Sequence, residues 1–435
     1  MIKSIYKKLY SDSAWSLYGQ ATFLMANFAL FLILIKTVDS ASFGIWALYV
    51  TVISITDSLR QGLLQNGLTR ALIQKPAAKR SLIASGLLIN YSYILIIGLV
   101  LILTSLIKST EDLSLFNLLP HAIKTLLGLG TLQFMNILYF SRTQFRDYFI
   151  SNLLYLISFG IGLLLLTRYG QLSFIAVINL QCLATVPSVV YYLIKNKVKW
   201  SLPLMTDVKE LLSFGKYIAG TNLLSMLFHK ADVLMLAVLV DPVAVALFHF
   251  ATKIVGYAEI PLNALSQVIY PRLAVSHQQK GTTELKRTYV SSIVNLLLMA
   301  TPIIIAVIMF IKEIISLLST DTYASSAPLI IILCITGLFK PFGRVFGLTL
   351  DAMGKPGINF QMLCLSLVVN VFMNLILIPL YGVQGAALAT CSSIIITVVW
   401  GQIRIKKYID LDHRDILREF IQLTSKYKHL KLKTQ

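Results

Sequence analysis

The sequence has few charged residues, and acidic ones are especially scarce. Only 13% of its 435 residues are Asp, Glu, Lys or Arg, 57% are hydrophobic, and the mean hydropathy is +0.76. About 25% charged residues is usual for a soluble domain, so this composition predicts a membrane protein. The 38 basic residues outnumber the 19 acidic ones, which gives a formal net charge of +19. In a membrane protein basic residues mark topology, so we expect no nucleic-acid partner.

Motifs for metal, cofactor or catalytic chemistry are also lacking. The four cysteines are Cys182, Cys334, Cys364 and Cys391. They lie in apolar runs without C-x-x-C spacing, so neither a disulfide framework nor a metal site is expected, and no cofactor is predicted. The D-x-D sequence Asp410-Leu-Asp412 lies near the carboxyl end, with too little chain around it for a nucleotide-sugar domain. An enzyme such as a glycosyltransferase is therefore not predicted.

Long apolar runs dominate what is present. A helix needs about 20 mostly apolar residues to cross the hydrocarbon core, and twelve segments come near this length. The first six cover about 14–35, 43–63, 81–107, 113–140, 147–167 and 172–194. The other six cover about 209–240, 243–269, 287–311, 326–350, 358–378 and 383–403. The sequence therefore predicts an all-α polytopic membrane protein with twelve transmembrane helices.

The basic residues are distributed unevenly between the two sides of these segments. The two ends and the loops on one side hold 28 of them, the loops on the other side hold five, and the last five lie inside segments. Cytoplasmic loops are enriched in Lys and Arg. This asymmetry predicts that both termini are cytoplasmic.

The two halves of the chain resemble each other. Val38-Asp39 and Val240-Asp241 each join the first and second helices of a half at an offset of 202 residues, which also pairs Asp57 with Glu259. Such ordered matches indicate duplication, and six helices per half make the repeats parallel. We expect an N-terminal six-helix lobe (1–200), a C-terminal six-helix lobe (201–403), a substrate site between the lobes, and a basic amphipathic cytoplasmic tail (404–435).

Several stretches match a known family. They are Asp39-Ser-Ala-Ser-Phe-Gly-Ile-Trp46, Asp207-Val-Lys-Glu-Leu-Leu-Ser-Phe-Gly215, Lys230-Ala-Asp-Val-Leu-Met-Leu236, Pro261, Pro271-Arg-Leu, Gly354-Lys-Pro and Ile378-Pro-Leu-Tyr-Gly-Val-Gln-Gly-Ala-Ala-Leu-Ala-Thr390. The chain resembles polysaccharide-biosynthesis flippases of the O-antigen and capsule type, within the multidrug/oligosaccharidyl-lipid/polysaccharide exporter superfamily. The resemblance implies a MATE-like fold.

The same resemblance implies a function. Such a protein flips undecaprenyl-pyrophosphate-linked oligosaccharide across the bacterial inner membrane by alternating access, with membrane lipids around it and a coupling cation as a further partner. A cation-coupled multidrug antiporter of the same fold is the alternative. The drug-exporting branch typically has an acidic residue in its first helix, whereas residues 14–35 contain none.

Basic residues inside the predicted spans are the candidates for substrate binding. They are Lys340, Arg344, Lys253, Lys230 and Arg60. Each is costly in hydrocarbon, so a bundle interior or an aqueous cavity should hold it. Lys340 and Arg344 are four residues apart on one helix face, where they repel unless an anion lies between them. That anion is either a phosphate of the substrate or a carboxylate from a neighbouring helix. The alternative is that Arg344 extends to the cytoplasmic interface.

The acidic residues inside the spans are Asp57, Asp232 and Glu259. They are candidates for coupling a cation or for bracing a lobe. Asp57 lies three residues before Arg60, which favours a salt bridge within the helix, and His229 is similarly spaced from Asp232. With the five basic residues, the membrane-embedded charge is +2, a sign that suits a pyrophosphate better than a cationic drug.

Overall fold

The computed structural model describes residues 2–75, 78–106, 115–196, 201–412 and 414–421, and for residues 2–13, 267 and 278–280 it describes only the backbone. Within these ranges the regular structure is helical and no strand occurs. The predicted all-α class is confirmed. The chain divides into two compact units, Met1–Met226 and Leu227–Gln435.

Among its described residues, the first unit contains eight complete α-helices and the start of a ninth. They are α1 (Ile2–Thr37), α2 (Ser40–Gln74), α3 (Lys79–Ser105), α4 (Leu115–Leu118), α5 (Ala122–Ser141), α6 (Phe145–Arg168), α7 (Phe174–Leu183), α8 (Val186–Asn196) and α9 (Met205–Leu239). Leu64 and Leu68 of α2 form a core with Leu82 of α3 and with Phe134 and Leu138 of α5. The division between the units falls inside α9, after Met226.

The second unit contains the end of α9 and six further α-helices. They are α10 (Pro242–Ala258), α11 (Ile260–Met309), α12 (Ile311–Leu318), α13 (Ala327–Gly337), α14 (Lys340–Ala352) and α15 (Pro356–Ile405), and residues 414–421 are also helical. Tyr289 and Ile293 of α11 form its core with Val345 and Leu350 of α14 and Ile405 of α15. Gly281 breaks α11 and Gly382 breaks α15, with φ of 75° and 56° respectively.

Residues matched between the halves have the same local roles. Asp39 precedes α2 and accepts a hydrogen bond of 2.9 Å from the Ser42 amide, while Asp241 precedes α10 and accepts one of 2.6 Å from the Ala244 amide. Both carboxylates therefore cap the second helix of their half. Gly170 follows Tyr169 as Gly382 follows Tyr381, and it has the same left-handed backbone, with φ of 64°. A glycine tolerates this conformation because it has no Cβ.

Eight helices in the described ranges are long and apolar enough to cross a membrane. Two bent pairs raise the number to ten: Pro242–Ala258 with Ile260–His277, at 48°, and Asp321–Gly337 with Lys340–Ala352, at 41°. Twelve separate spans are thus not confirmed. The helix α5, in the fourth predicted segment, carries polar side chains such as Lys124 and Gln133, and α15 covers two predicted segments in one 50-residue helix that only Gly382 interrupts.

Candidate functional site

A cavity of about 640 Å³ in the second unit holds most of the charged residues predicted inside the spans. Its charged and histidine side chains are Lys230, Asp232, Lys253, Glu259, Lys340, Arg344, His229 and His249. A space of this size accommodates a drug-sized molecule or the head group of a larger one. Six of the eight predicted site residues therefore lie together.

The cavity is cationic. Four basic and two acidic side chains line it, which gives a formal charge of +2 with both histidines neutral. Its walls come from α9, α10, α13, α14 and α15, so the charged groups converge from separate parts of the chain. Charges at a low-dielectric protein surface act more strongly than in water, so this lining favours an anionic ligand.

Lys340 forms an ion pair with Glu259. Their Nζ and Oε1 atoms are 2.6 Å apart, and the side chains are 33% and 18% exposed. Lys340 is the first residue of α14 and Pro341 follows it, in keeping with the preference for proline in a first helical turn, where no backbone donor is needed. In this structure, therefore, the carboxylate of Glu259 is the anion that relieves the expected repulsion between Lys340 and Arg344.

Arg344 lies one turn further along α14. Its Nη1 donates a hydrogen bond of 3.2 Å to Ser266 Oγ of α11, and within the described ranges it forms no ion pair. The guanidinium has five donors in a planar fork. Most of its capacity to bind an oxyanion is therefore not used by Ser266.

Lys230 of α9 and Lys253 of α10 also face the cavity. No ion pair involves either ammonium group in the part of the chain that the structure describes. Both side chains are only partly exposed. Two partly buried cations without a bound carboxylate make the cavity receptive to a multivalent anion.

Asp232 is the second carboxylate of the cavity, and amides and a hydroxyl surround it. Its Oδ1 accepts hydrogen bonds from Asn370 Nδ2 at 3.0 Å and Asn374 Nδ2 at 2.6 Å, and its Oδ2 accepts one from Thr390 Oγ1 at 2.7 Å. Asp232 is 5% exposed. These three residues, rather than His229, occupy the acceptor positions of Asp232 in the described structure.

Asp57 and Arg60 lie in the first unit and are not among the residues that line this cavity. Asp57 Oδ1 is 2.8 Å from the Arg60 guanidinium, as the three-residue spacing predicted. Arg60 is fully buried and also donates to Asn90 Oδ1, at 2.6 Å, to Gln133 Oε1 and to the Gly130 carbonyl. The structure therefore places Arg60 inside a bonded polar network, with no exposed surface for a ligand.

The amides around Asp232 were not singled out from the sequence. Asn370 and Asn374 are four residues apart in the apolar α15, so they share a face, and this spacing was the available signal. Thr390 follows the break at Gly382, which lets residues from both parts of α15 reach the same carboxylate. No cluster of three His, Cys, Asp or Glu residues suited to a metal ion occurs among the described residues.

A family model of polysaccharide biosynthesis proteins matches residues 33–328, which is more than half of the chain. The chain belongs to this family. Among curated proteins, it is similar to the probable low-salt glycan biosynthesis flippase Agl15 of Haloferax volcanii, at 21% identity over 47% of this chain and 44% of that protein. It is also similar to the probable flippase AglR of the same organism, at 21% identity over 44% of this chain and 40% of that protein.

The match therefore spans less than half the length of these curated relatives. Solved structures give nearly complete coverage. An inward-facing multidrug resistance MATE transporter has a TM-score of 0.74 at 14% identity, over 90% of this chain and 98% of that one. The lipid II flippase MurJ has a TM-score of 0.69 at 16% identity, over 94% and 90%. This family member is thus a multi-pass membrane protein with the fold that MATE transporters and MurJ share.

Proposed function

We propose that this protein flips a lipid-linked oligosaccharide across a membrane for surface polysaccharide biosynthesis. The +2 cavity carries the proposal, because four basic side chains converge there and a pyrophosphate is the anionic part of such a lipid. Lys340, Arg344, Lys253 and Lys230 are its proposed ligands. Family membership and the flippase names of the relatives support the same assignment.

The finer parts of the proposal follow from the sequence. The lipid carrier is undecaprenyl pyrophosphate, the membrane is the bacterial inner membrane, and both termini are cytoplasmic, in agreement with the excess of basic residues in one set of loops. Two lobes, 1–200 and 201–403, alternate access to the substrate. No catalytic chemistry is proposed.

A coupling cation is the remaining partner. Asp232 is its proposed site, because this buried carboxylate has no basic partner within the described residues and Asn374 Oδ1 beside it has no hydrogen-bond donor there. Bracing of the second unit by the same hydrogen bonds is the alternative role. Glu259 and Asp57 are each paired with a basic residue, which leaves them less suited to a cation.

Cells that lack the protein test the proposed substrate. We expect lipid-linked oligosaccharide to accumulate on the cytoplasmic face, with unchanged sensitivity to cationic dyes and full recovery on expression of the wild type. Normal glycan export with new dye sensitivity would overturn the proposal in favour of a cation-coupled multidrug antiporter of the same fold. The mass of the accumulated lipid tests the carrier separately, since a polyprenyl chain other than undecaprenyl would refute that part alone.

A further inference from the structure

The ion pair between Glu259 and Lys340 joins two helix breaks. Glu259 lies between α10 and α11, where the helix axis bends by 48°, and Lys340 begins α14 after the 41° bend from α13. The residues are 81 positions apart in sequence, and their side chains meet at 2.6 Å at the cavity wall. The contact therefore holds two bends together at a surface that a ligand can reach.

Glu259 also pairs with Lys340, a cation that the proposed substrate needs for its phosphate. A carboxylate and a phosphate are both oxyanions, and a lysine ammonium group hydrogen-bonds to either. Lys230 and Lys253 have no carboxylate partner in the described ranges, so an anion can bind them without displacing one. At Lys340, by contrast, a phosphate must compete with Glu259.

We propose that Glu259 is an internal competitor of the substrate's phosphate group and thereby sets how tightly the cavity holds that group. On binding, the phosphate displaces the Glu259 carboxylate from Lys340. The ion pair between Glu259 and Lys340 forms again when the substrate leaves. The exchange releases and restores the link between the two helix breaks. This inference rests on the proposed function and deepens it. It assigns a role in substrate affinity and release to Glu259, whose charge is opposite to that of the basic side chains proposed to bind the phosphate.

The direction in which Glu259→Gln changes the affinity for pyrophosphate tests the inference. Inorganic pyrophosphate is titrated into the purified full-length protein in lipid nanodiscs, and binding is measured by calorimetry. Glu259→Gln frees Lys340 and removes a negative charge, so affinity should rise about tenfold. An unchanged or lower affinity in this variant overturns the inference, and a gain that comes from the removed charge alone is separated from competition by a double-mutant cycle.

A double-mutant cycle locates the effect. In a Lys340→Gln background, Glu259→Gln should tighten binding much less, because the cation for which the two anions compete is gone. The matched control is Glu210→Gln, since Glu210 pairs with Lys75 at the same 2.6 Å and neither residue lines the cavity. Its affinity for pyrophosphate should equal that of the wild type. An equal gain in both backgrounds, or a gain in the control, refutes the competition.

Two further measurements keep the outcome decisive. If Glu259→Gln does not fold, Glu259→Asp shortens the side chain by one methylene, and a gain smaller than tenfold is expected, whereas no gain refutes the inference. In a flipping assay, Glu259→Gln should lower both the half-saturating substrate concentration and the turnover rate, because release slows. Absence of pyrophosphate binding in both the wild type and Glu259→Gln would instead refute the proposed function itself.

Discussion

Asn374 donates a hydrogen bond of 2.6 Å to Asp232, while the Oδ1 atom of the same Asn374 is buried and has no donor in the described structure. Asn370 also donates a hydrogen bond to Asp232, and its own Oδ1 accepts one of 3.1 Å from Asn374 Nδ2. Among the described residues, the hydrogen bonds to this carboxylate thus come from neutral donors. A substitution can therefore remove the charge of Asp232 and keep the shape of its side chain.

Replacing Asp232 by Asn should leave the fold nearly intact. The new carboxamide oxygen can still accept from both asparagines, and its nitrogen can donate to Thr390 Oγ1. We expect the free energy of unfolding to change by less than about 1 kcal/mol. Asp232→Ala should cost about 2–4 kcal/mol, because two buried amides lose their acceptor. Thermal unfolding of both variants in nanodiscs measures the difference.

The same Asp232→Asn variant tests coupling. If Asp232 binds the coupling cation, the variant should fold normally and lose the dependence of transport on a sodium or proton gradient. Transport is measured in vesicles with each gradient imposed in turn, and Asn370→Ala, which keeps the carboxylate, is the control. Gradient-dependent transport by a folded Asp232→Asn protein would mean that Asp232 stabilises the second unit and does not bind the coupling cation.

The cationic face of α14 yields a third prediction. Lys340→Ala together with Arg344→Ala removes two of the four basic groups of the cavity, and flipping should fall at least tenfold, since a hydrogen bond to a charged group is worth about 1.5–3 kcal/mol. Rates are measured in reconstituted vesicles, with membrane insertion checked by the amount of protein. Arg70→Ala removes a basic residue outside the cavity and should leave the rate unchanged. Unaltered flipping by the double variant would exclude Lys340 and Arg344 from the substrate site.

Arg60 should behave differently from the cavity residues. Arg60→Ala leaves Asp57 with an uncompensated charge in a buried network, and we expect a loss of about 3–5 kcal/mol in stability. The double variant Asp57→Asn, Arg60→Met removes both charges and should recover part of the loss. Unfolding temperatures measure both effects.

Pyrophosphate affinity separates the two roles considered for Arg60. The folded fraction of either Arg60 variant should bind pyrophosphate as the wild type does, because the guanidinium is fully buried and bonded within the protein. A lower affinity for pyrophosphate at unchanged stability would mean that Arg60 contributes to substrate binding, as the sequence predicted.

Some of this architecture was accessible from the sequence because it depends on local spacing. Hydropathy located the helices, the 202-residue offset matched the two capping residues Asp39 and Asp241, and a three-residue spacing paired Asp57 with Arg60. The two caps and the salt bridge are each decided within one helical turn. Twelve separate spans are not confirmed, because proline, glycine and polar side chains interrupt or weaken several segments.

The pairings inside the cavity were not accessible in the same way. Lys340 was expected to meet either a phosphate or a carboxylate, and the choice of Glu259 depends on where two bent helices place their breaks. Likewise, Asp232 contacts Asn370 and Asn374 before the break at Gly382 and Thr390 after it. Contacts between residues more than 80 positions apart follow from tertiary geometry, and a single sequence contains little information about it.

The end of the described chain supports a last prediction, on pH. Asp415, in the helix at residues 414–421, pairs with Lys286 of α11 at 2.7 Å, and the hydrogen bond from Lys286 holds the pKa of Asp415 below its ordinary value of 3.8. A lowered carboxylate pKa stabilises the paired state above the ordinary value, and this contribution is lost as the pH falls through the lowered pKa. We therefore expect residues 414–421 to remain attached at neutral pH and to loosen in acid below about pH 4.

Hydrogen exchange of residues 414–421 at pH 7 and at about pH 2, corrected for the intrinsic rate, measures this attachment. Asp415→Asn should show at pH 7 the faster corrected exchange that the wild type shows in acid, because neither state has a carboxylate to pair with Lys286. Asp410→Asn is the control, since Asp410 forms no ion pair in the described structure and its loss should not alter exchange. Equal protection of the wild type and Asp415→Asn at pH 7 would mean that the apolar contacts of Ile416 with the core of the second unit hold the helix without the ion pair.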